Sequence, residues 1–322
     1  MGIRVLKGGM MTTVQDLGRT GYQSQGFSVS GVMDVRSFKI ANLLLDNPEN
    51  EAVLEFTLIG PTLEFTSETI IAITGGDFRP QINGKPAKMY TAIYMHRGDI
   101  LTFGGARTGT RGYIAFSSYL DVPVVMGSRS TNIKCQIGGF KGRKLEDEDY
   151  IAFRAKRRYL PYYLSRSLDL DEFDQEKITL RVVMGPQEKM FTKEGRETFL
   201  NSEYTVTSEF DRMGCRLEGP FIAYKTTSDI ISDGIAFGSV QVPSHGKPII
   251  LLADRQTTGG YAKIATVVSV DIPKLVQRKT EQKVRFQAVS VEEAQKLLAD
   301  EMKELNGFRS QIYTPCKEVL DC

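Results

Sequence analysis

Residues 239–261 read SVQVPSHGKPIILLADRQTTGGY, and two textures meet in them. Pro248-Ile249-Ile250-Leu251-Leu252-Ala253 is an unbroken apolar run of strand length, which belongs in a core. Directly behind it come Asp254, Arg255, Gln256, Thr257, Thr258, Gly259, Gly260 and Tyr261. A buried strand opening into charge, hydroxyl and glycine is the pattern of a binding corner on a rigid scaffold.

Outward from this stretch the chain keeps reading as short strands. Residues 69–74, 99–103, 112–116, 178–183, 204–207, 229–237 and 264–268 are rich in Ile, Val, Thr, Phe and Tyr, with Gly or Asp-Gly between them. Asn83-Gly84 is expected to make a tight turn. Regular short strands favour barrels or sandwiches over a doubly wound sheet. Helices are few. Asp34 caps one carrying Val35, Phe38, Ala41 and Leu45 on one side. Ser290 and Glu293 form a capping box for another. Val291, Ala294, Leu297, Leu298, Met302 and Leu305 give that helix an apolar stripe, which reads as a packing face. Gly307 is expected to end it, with an unordered tail beyond.

The stretch 154–177, RAKRRYLPYYLSRSLDLDEFDQEK, turns from basic to acidic and carries Pro161 and three tyrosines. It reads as a solvated connection between two halves. A faint echo supports two similar halves. Leu54-Glu55 precedes Gly60-Pro61 in the first, and Leu217-Glu218-Gly219-Pro220 stands in the second. The expected division is 1–165, 175–290 and a C-terminal helix and tail over 291–322.

Composition sets outer bounds. The chain has 322 residues, 41% hydrophobic and 25% charged, with net charge +2. That balance argues for neither a nucleic-acid nor a membrane surface. The apolar runs fall far short of the ~20 residues a membrane span needs. The opening MGIRVLKGGMMTTVQ lacks a signal-type apolar core, so a cytoplasmic protein is expected. Cys135, Cys215, Cys316 and Cys322 are too sparse for a disulfide framework, and reduced thiols are expected. His96 and His245 sit in no HExxH or Cys-His pattern, so no metal site is expected.

The opening corner has companions. Thr13-Val14-Gln15-Asp16-Leu17-Gly18-Arg19-Thr20-Gly21-Tyr22 uses the same letters, as does Gly105-Ala106-Arg107-Thr108-Gly109-Thr110-Arg111-Gly112-Tyr113. Glycine at positive φ lets backbone N–H groups converge on an anion. Threonine adds hydroxyls, arginine a planar fork for carboxylate or phosphate, and tyrosine a flat wall. Together the corners suit a small anionic or amide-bearing molecule, and they are expected to share one hollow. No nucleotide motif accompanies them: Gly246-Lys247 is followed by Pro248 where a Walker motif needs Ser or Thr. In Asp211-Arg212-Met213-Gly214-Cys215-Arg216 a thiol lies between arginines. A reactive thiol is one reading, and a small apolar residue entering a strand is the favoured one.

TTVQDLGRTGYQSQGFSVSGVMD, GARTGTRGY, DRMGCRLEGP and ISDGIAFGSVQVPSHGKPIILLADRQTTGGY together resemble the biotin-dependent carboxyltransferase-like family, also called allophanate hydrolase subunit 2. The likeness runs over roughly residues 3 to 290. It implies a mainly β chain with a few helices, folded as two cyclophilin-like β-barrel domains. It also implies the C subunit of an ATP-dependent 5-oxoprolinase, which opens 5-oxo-L-proline to L-glutamate. Its partners would be the B subunit, similar to allophanate hydrolase subunit 1, and the A subunit. The missing Walker motif is compatible with an ATP site on one of those partners. Two alternatives come with the family. One is a carboxyltransferase acting on urea or a similar amide with carboxybiotin supplied in trans. The other is a non-catalytic antagonist that binds a sporulation-kinase inhibitor. A biotin carrier would show Met-Lys-Met in a hairpin, whereas Met302-Lys303-Glu304 lies in the expected helix, so no covalently attached biotin is expected.

These substrates are small planar amides, which matches the corners. Asp16, Arg107, Asp254 and Arg255 are the catalytic candidates: arginines for developing oxygen charge, aspartates to orient them or act as base. Gln15, Arg19, Arg111, Arg212, Gln241, Gln256, Thr257, Thr258, Gly259, Gly260 and Tyr261 are the substrate-binding candidates. Gln256 to Gly260 would supply a backbone cradle.

Overall fold

The computed structural model describes residues 1–156, 159–170 and 173–313. The chain divides into two units. The first gathers residues 1–19, 34–174 and 302–322, the second residues 20–33 and 175–301. Both are built mainly of strands, with four α-helices among the described residues, so the mainly β expectation holds. Every segment read as a strand contains one, and 229–237 stops early, at Gly234.

The second unit closes a barrel. Its strands run Lys177–Met184, Lys263–Val267, Ser239–Gln241, Ile249–Leu251, Gly214–Glu218, Glu203–Phe210 and Lys283–Ala288. The last pairs in parallel with the first, Lys177 opposite Lys283 and Val182 opposite Ala288. Period-two alternation explains the closure: Ile178, Leu180 and Val182 point inward, as do Cys215 and Leu217, Val284 and Phe286. Each such aliphatic or aromatic side chain contributes about 1.5–3 kcal/mol by leaving water. Cys215 is fully buried in this core, as favoured for a small apolar residue, while Cys135 is exposed. Cys316 and Cys322 lie outside the described residues. A separate two-stranded ribbon pairs Asp229–Gly234 with Thr258–Tyr261.

The first unit holds a six-stranded sheet and a five-stranded sheet. The six strands run in the order Tyr150–Ala152, Gly2–Lys7, Thr62–Phe65, Ile100–Thr102, Gln81–Ile82, Lys85–Pro86; the five in the order Met11–Gln15, Val53–Thr57, Arg111–Phe116, Thr69–Gly75, Ala92–Met95. Ile3, Val5, Leu54, Phe56, Leu63 and Ile114 contribute to one core. Thr69–Gly75 is buried along its whole length, which explains its unbroken apolar letters. The Asn83-Gly84 turn forms as expected, both residues at positive φ, 52° and 77°. The first α-helix (Val35–Leu44) carries the expected cap: the Ser37 N–H donates to Asp34 Oδ1 at 2.9 Å.

The structure departs from the sequence pattern in three places. The C-terminal helix (Val291–Ile312) has the expected capping box, Ser290 N–H to Glu293 Oε2 at 2.8 Å and Glu293 N–H to Ser290 Oγ at 3.1 Å. It runs through Gly307, however, because an exposed helical glycine costs only about 1 kcal/mol against alanine. Residues 314–322 of the expected tail lie outside the described residues. The apolar stripe of this helix is not a buried packing face either: Val291, Leu298 and Met302 are exposed. Periodicity reports a helix face, not what covers it. Finally, the 154–177 stretch, within which the two units divide, is solvated only in part. Leu160, Arg166, Leu168 and Phe173 are buried, and Arg166 donates to the carbonyls of Leu44 (3.0 Å) and Pro161 (2.8 Å). Its basic letters include an arginine that caps the Val35–Leu44 helix at the carbonyl end.

Candidate functional site

The corner behind Ile249–Leu251 lines a hollow of about 520 Å³ in the second unit. Its floor is the outer face of the barrel wall, where Ile249 and Leu251 alternate with the core residue Ile250. Tyr261, Ile235, Gln241, Arg255 and Gln256 complete it. Arg255 is only 6% exposed. Its Nε donates to the Ile235 carbonyl at 3.0 Å and Nη1 to that of Leu252 at 3.2 Å, and the guanidinium lies over the Phe237 ring at 5.7 Å. Burial holds its pKa below the ordinary arginine value. Among the described residues it makes no ion pair. Gln241, 6% exposed, directs Nε2 toward the Tyr261 carbonyl at 3.5 Å.

The sequence places Arg212 and Asp254 beside this corner, and the structure joins them. Arg212 Nε and Nη2 reach the two Asp254 oxygens at 2.8 and 3.2 Å, and Nη2 also donates to the Gly31 carbonyl at 2.6 Å. Gly31 belongs to residues 20–33, which cluster with the second unit. The same segment supplies Ser28, whose Oγ donates to the Arg255 carbonyl at 2.7 Å. Asp254 and Arg212 thus brace the corner from behind.

Gly259 and Gly260 are strand residues of the ribbon, and neither has positive φ. Their backbone pairs across the ribbon and does not form a nest. Gly259 is small for another reason: a Cβ there would lie 2.7 Å from both Gln241 Nε2 and Ile235 Cδ1. Thr258 is exposed and stands opposite Gly234. Thr257 accepts at its carbonyl from the Ile235 N–H at 3.0 Å.

The corner at 105–113 lines a different hollow, of about 550 Å³, within the first unit. There Arg107 Nε meets Asp77 Oδ2 at 2.7 Å, with Arg79 and Lys88 on the same rim. Arg111 points away from solvent. It is buried in its strand, with Nη1 3.3 Å from Thr110 Oγ1. Next to it Tyr113 donates to Glu55 Oε2 at 2.8 Å and accepts from the Asp34 N–H at 2.9 Å. Burial, with Glu55 and Asp34 adding, pushes the Tyr113 hydroxyl well above the ordinary tyrosine pKa, so it stays a donor.

Residues 15–19 of the 15–22 corner belong to the first unit, where Gln15, Asp16 and Arg19 are buried, while residues 20–22 cluster with the second. Asp16 Oδ1 accepts from Ser128 Oγ (2.6 Å), Ser130 Oγ (2.5 Å) and the Gly18 N–H (2.8 Å), and Oδ2 from the Arg129 N–H (2.6 Å). Arg19 donates to the Ser130 carbonyl, and Gln15 Nε2 reaches the Thr131 carbonyl at 3.2 Å. These side chains hold residues 128–131 in place.

Sequence reasoning missed Lys263. It is 4% exposed, pairs in register with Gln241, and donates through Nζ to Asp233 Oδ2 at 2.6 Å and the Gly234 carbonyl at 2.8 Å. The bond to Lys263, with the Gly234 N–H, lowers the Asp233 pKa. The sequence signal for this amine is a lysine opening the short strand run Lys263-Ile264-Ala265-Thr266-Val267.

Known proteins share this architecture. Residues 25–288 match the family described as carboxyltransferase domain, subdomain A and B. The C subunit of 5-oxoprolinase from Escherichia coli (strain K12) is 34% identical over 308 residues, covering 94% of this chain and 96% of that protein. The protein of the same name from Haemophilus influenzae is 34% identical, covering 88% and 90%. Among solved structures, the urea amidolyase of K. lactis superposes with a TM-score of 0.88 at 29% identity; it covers 95% of this chain, which spans only 20% of that enzyme.

Proposed function

Because this chain belongs to the carboxyltransferase domain family of subdomains A and B, we propose that it is the C subunit of an ATP-dependent 5-oxoprolinase. The observation that carries this reading is the end-to-end match, 94% of this chain against 96% of the Escherichia coli protein. Working with the A and B subunits, it opens 5-oxo-L-proline to L-glutamate. The ring C–N bond breaks, water's oxygen joins the carbonyl carbon, and the ring nitrogen becomes the free amine. ATP drives the step at a site of the complex, compatible with one on another subunit, and no biotin is attached here.

The second-unit hollow is the substrate site on this reading. A lactam offers one N–H and one carbonyl on the same edge, and the Gln241 amide offers the complementary acceptor and donor. Arg255 lines the same hollow as a buried cation, a donor for oxygen charge carried by the substrate. Asp254 acts through Arg212 to fix the corner. Asp16, Gln15 and Arg19 support the first unit from within, and Arg107 faces that unit's own hollow.

A second reading has one specific support: the fold match to urea amidolyase at a TM-score of 0.88. It makes this chain a carboxyltransferase taking carboxybiotin in trans. Incubating the chain with free carboxybiotin and either urea or 5-oxoproline separates the two. Carboxylated urea would support the second reading and displace the first.

A further inference from the structure

We propose that the second-unit hollow lined by Ile235, Ile249, Leu251 and Tyr261 is a carboxylate-binding subsite, with Arg255 as its counter-charge and the Gln241 amide as the neighbouring polar edge. The 5-oxoprolinase reading supplies only the identity of the acid; the subsite rests on the charges around the hollow.

At about 520 Å³ the hollow lies in the size range of small-molecule sites, roughly 300–1,000 Å³. Its negative groups are already committed. Asp211 Oδ1 accepts from the Met213 and Gly214 N–H groups at 2.7 and 3.1 Å. Glu209 pairs with Arg216 at 2.8 Å. Arg255 is the exception. It is more than nine-tenths buried, its Nε and Nη1 donate only to neutral carbonyls, and its Nη2 makes no hydrogen bond among the described residues. A buried cation without a counter-ion is costly, and a bound anion removes that cost. A guanidinium with one nitrogen to spare beside a lined cavity is a fitting receptor for a carboxylate oxygen.

The rest of the hollow selects the kind of anion. Ile249, Leu251 and Ile235 put apolar surface beside its polar lining, where an ion pair is stronger than in bulk water. Arg216 also lines the hollow but is paired with Glu209, so one cation is left unpaired, which suits a monoanion. A phosphate dianion would leave charge buried without compensation. Gln241 then adds an amide edge, kept within reach by the missing side chain at Gly259. Together these features describe a small monocarboxylic acid bearing an amide or lactam.

The test is equilibrium binding to the full chain by calorimetry. The ligands are 5-oxo-L-proline, its carboxamide, cyclopentanecarboxylate and inorganic phosphate. Both acids should bind, and replacing the carboxylate by carboxamide should weaken affinity by about 10- to 100-fold. Arg255→Met should bring the acids down to the level of the carboxamide, and Arg255→Lys should restore part of the loss. The wild-type comparison between acid and carboxamide needs no variant to fold. Equal binding of acid and carboxamide, tighter binding of phosphate than of either acid, or no saturable binding of either acid overturns the subsite. If cyclopentanecarboxylate binds and 5-oxo-L-proline does not, the subsite stands and the 5-oxoprolinase reading falls. If 5-oxo-L-proline and its carboxamide bind alike, the reverse holds.

Discussion

Lys263 and Asp233 meet at 2.6 Å, and through that contact the barrel wall holds the ribbon whose Tyr261 lines the second-unit hollow. The pair is lopsided: the amine is 5% exposed at its side chain and the carboxylate 53%. Removing each partner therefore has a different consequence. Lys263→Met replaces a buried ammonium by an apolar chain of similar length, a change that is often neutral for stability. Asp233→Ala leaves the ammonium buried with only the Gly234 carbonyl. We expect Asp233→Ala to lower the urea midpoint more than Lys263→Met. Both should speed amide exchange in residues 229–234 and 258–261. The protection of these amides, measured against the intrinsic exchange rate at each pH, should fall at low pH. The folded pKa of Asp233 is depressed, so the tether is intact above the ordinary carboxylate range, near pH 4, and is lost as pH falls below it. Exchange that stays unchanged in both variants would show that this pair does not tether the ribbon.

Among the described ion pairs of the second unit, Asp271 is the most buried carboxylate. Its side chain is fully buried and meets Arg181 at 2.5 Å and Lys274 at 2.8 Å. Burial pushes its pKa up, but the bonds from Arg181, Lys274 and the Arg181 N–H outweigh that and leave it below the ordinary value. A depressed folded pKa contributes stability at neutral pH that disappears as pH falls through it. Asp271→Ala should lower unfolding free energy by about 3 kcal/mol at pH 7, with a smaller difference below about pH 3. Denaturant titrations at the two pH values check this.

Cys215 separates packing from chemistry. Cys215→Ser places a hydroxyl in the barrel core and should cost about 1–3 kcal/mol of stability. Cys215→Ala should keep full activity per folded molecule in the reconstituted enzyme. Loss of turnover in a well-folded Cys215→Ala protein would make the thiol functional after all.

Gly259→Ala probes the hollow without touching the barrel core. The added methyl meets the far ends of the buried Gln241 and Ile235 side chains, which must shift, so a loss of about 1–3 kcal/mol of stability is expected. By crowding Gln241 it should raise KM for 5-oxo-L-proline several-fold and change kcat less. Steady-state kinetics of the reconstituted complex measures both.

The sequence was most readable where a local rule acts alone. The Asp34 cap, the Ser290–Glu293 box, the Asn83-Gly84 turn and the alternating barrel strands each follow from a few neighbouring residues. What it concealed depends on distant partners. Nothing near Arg166 announces that it caps the Val35–Leu44 helix, and nothing in residues 20–33 announces their place in the second unit. The three corners share letters for three different reasons. Asp16 braces a loop, Arg107 pairs with Asp77, and Arg255 stands unpaired beside apolar surface. Composition cannot distinguish these, because burial and partner decide what an arginine does.

The most direct measurement is glutamate released from labelled 5-oxo-L-proline by the A and B subunits with ATP, with and without this chain. Release is predicted only when the chain is present, and most of it should be lost when Arg255→Met replaces the wild type. Full release by the other two subunits alone would contradict the assignment.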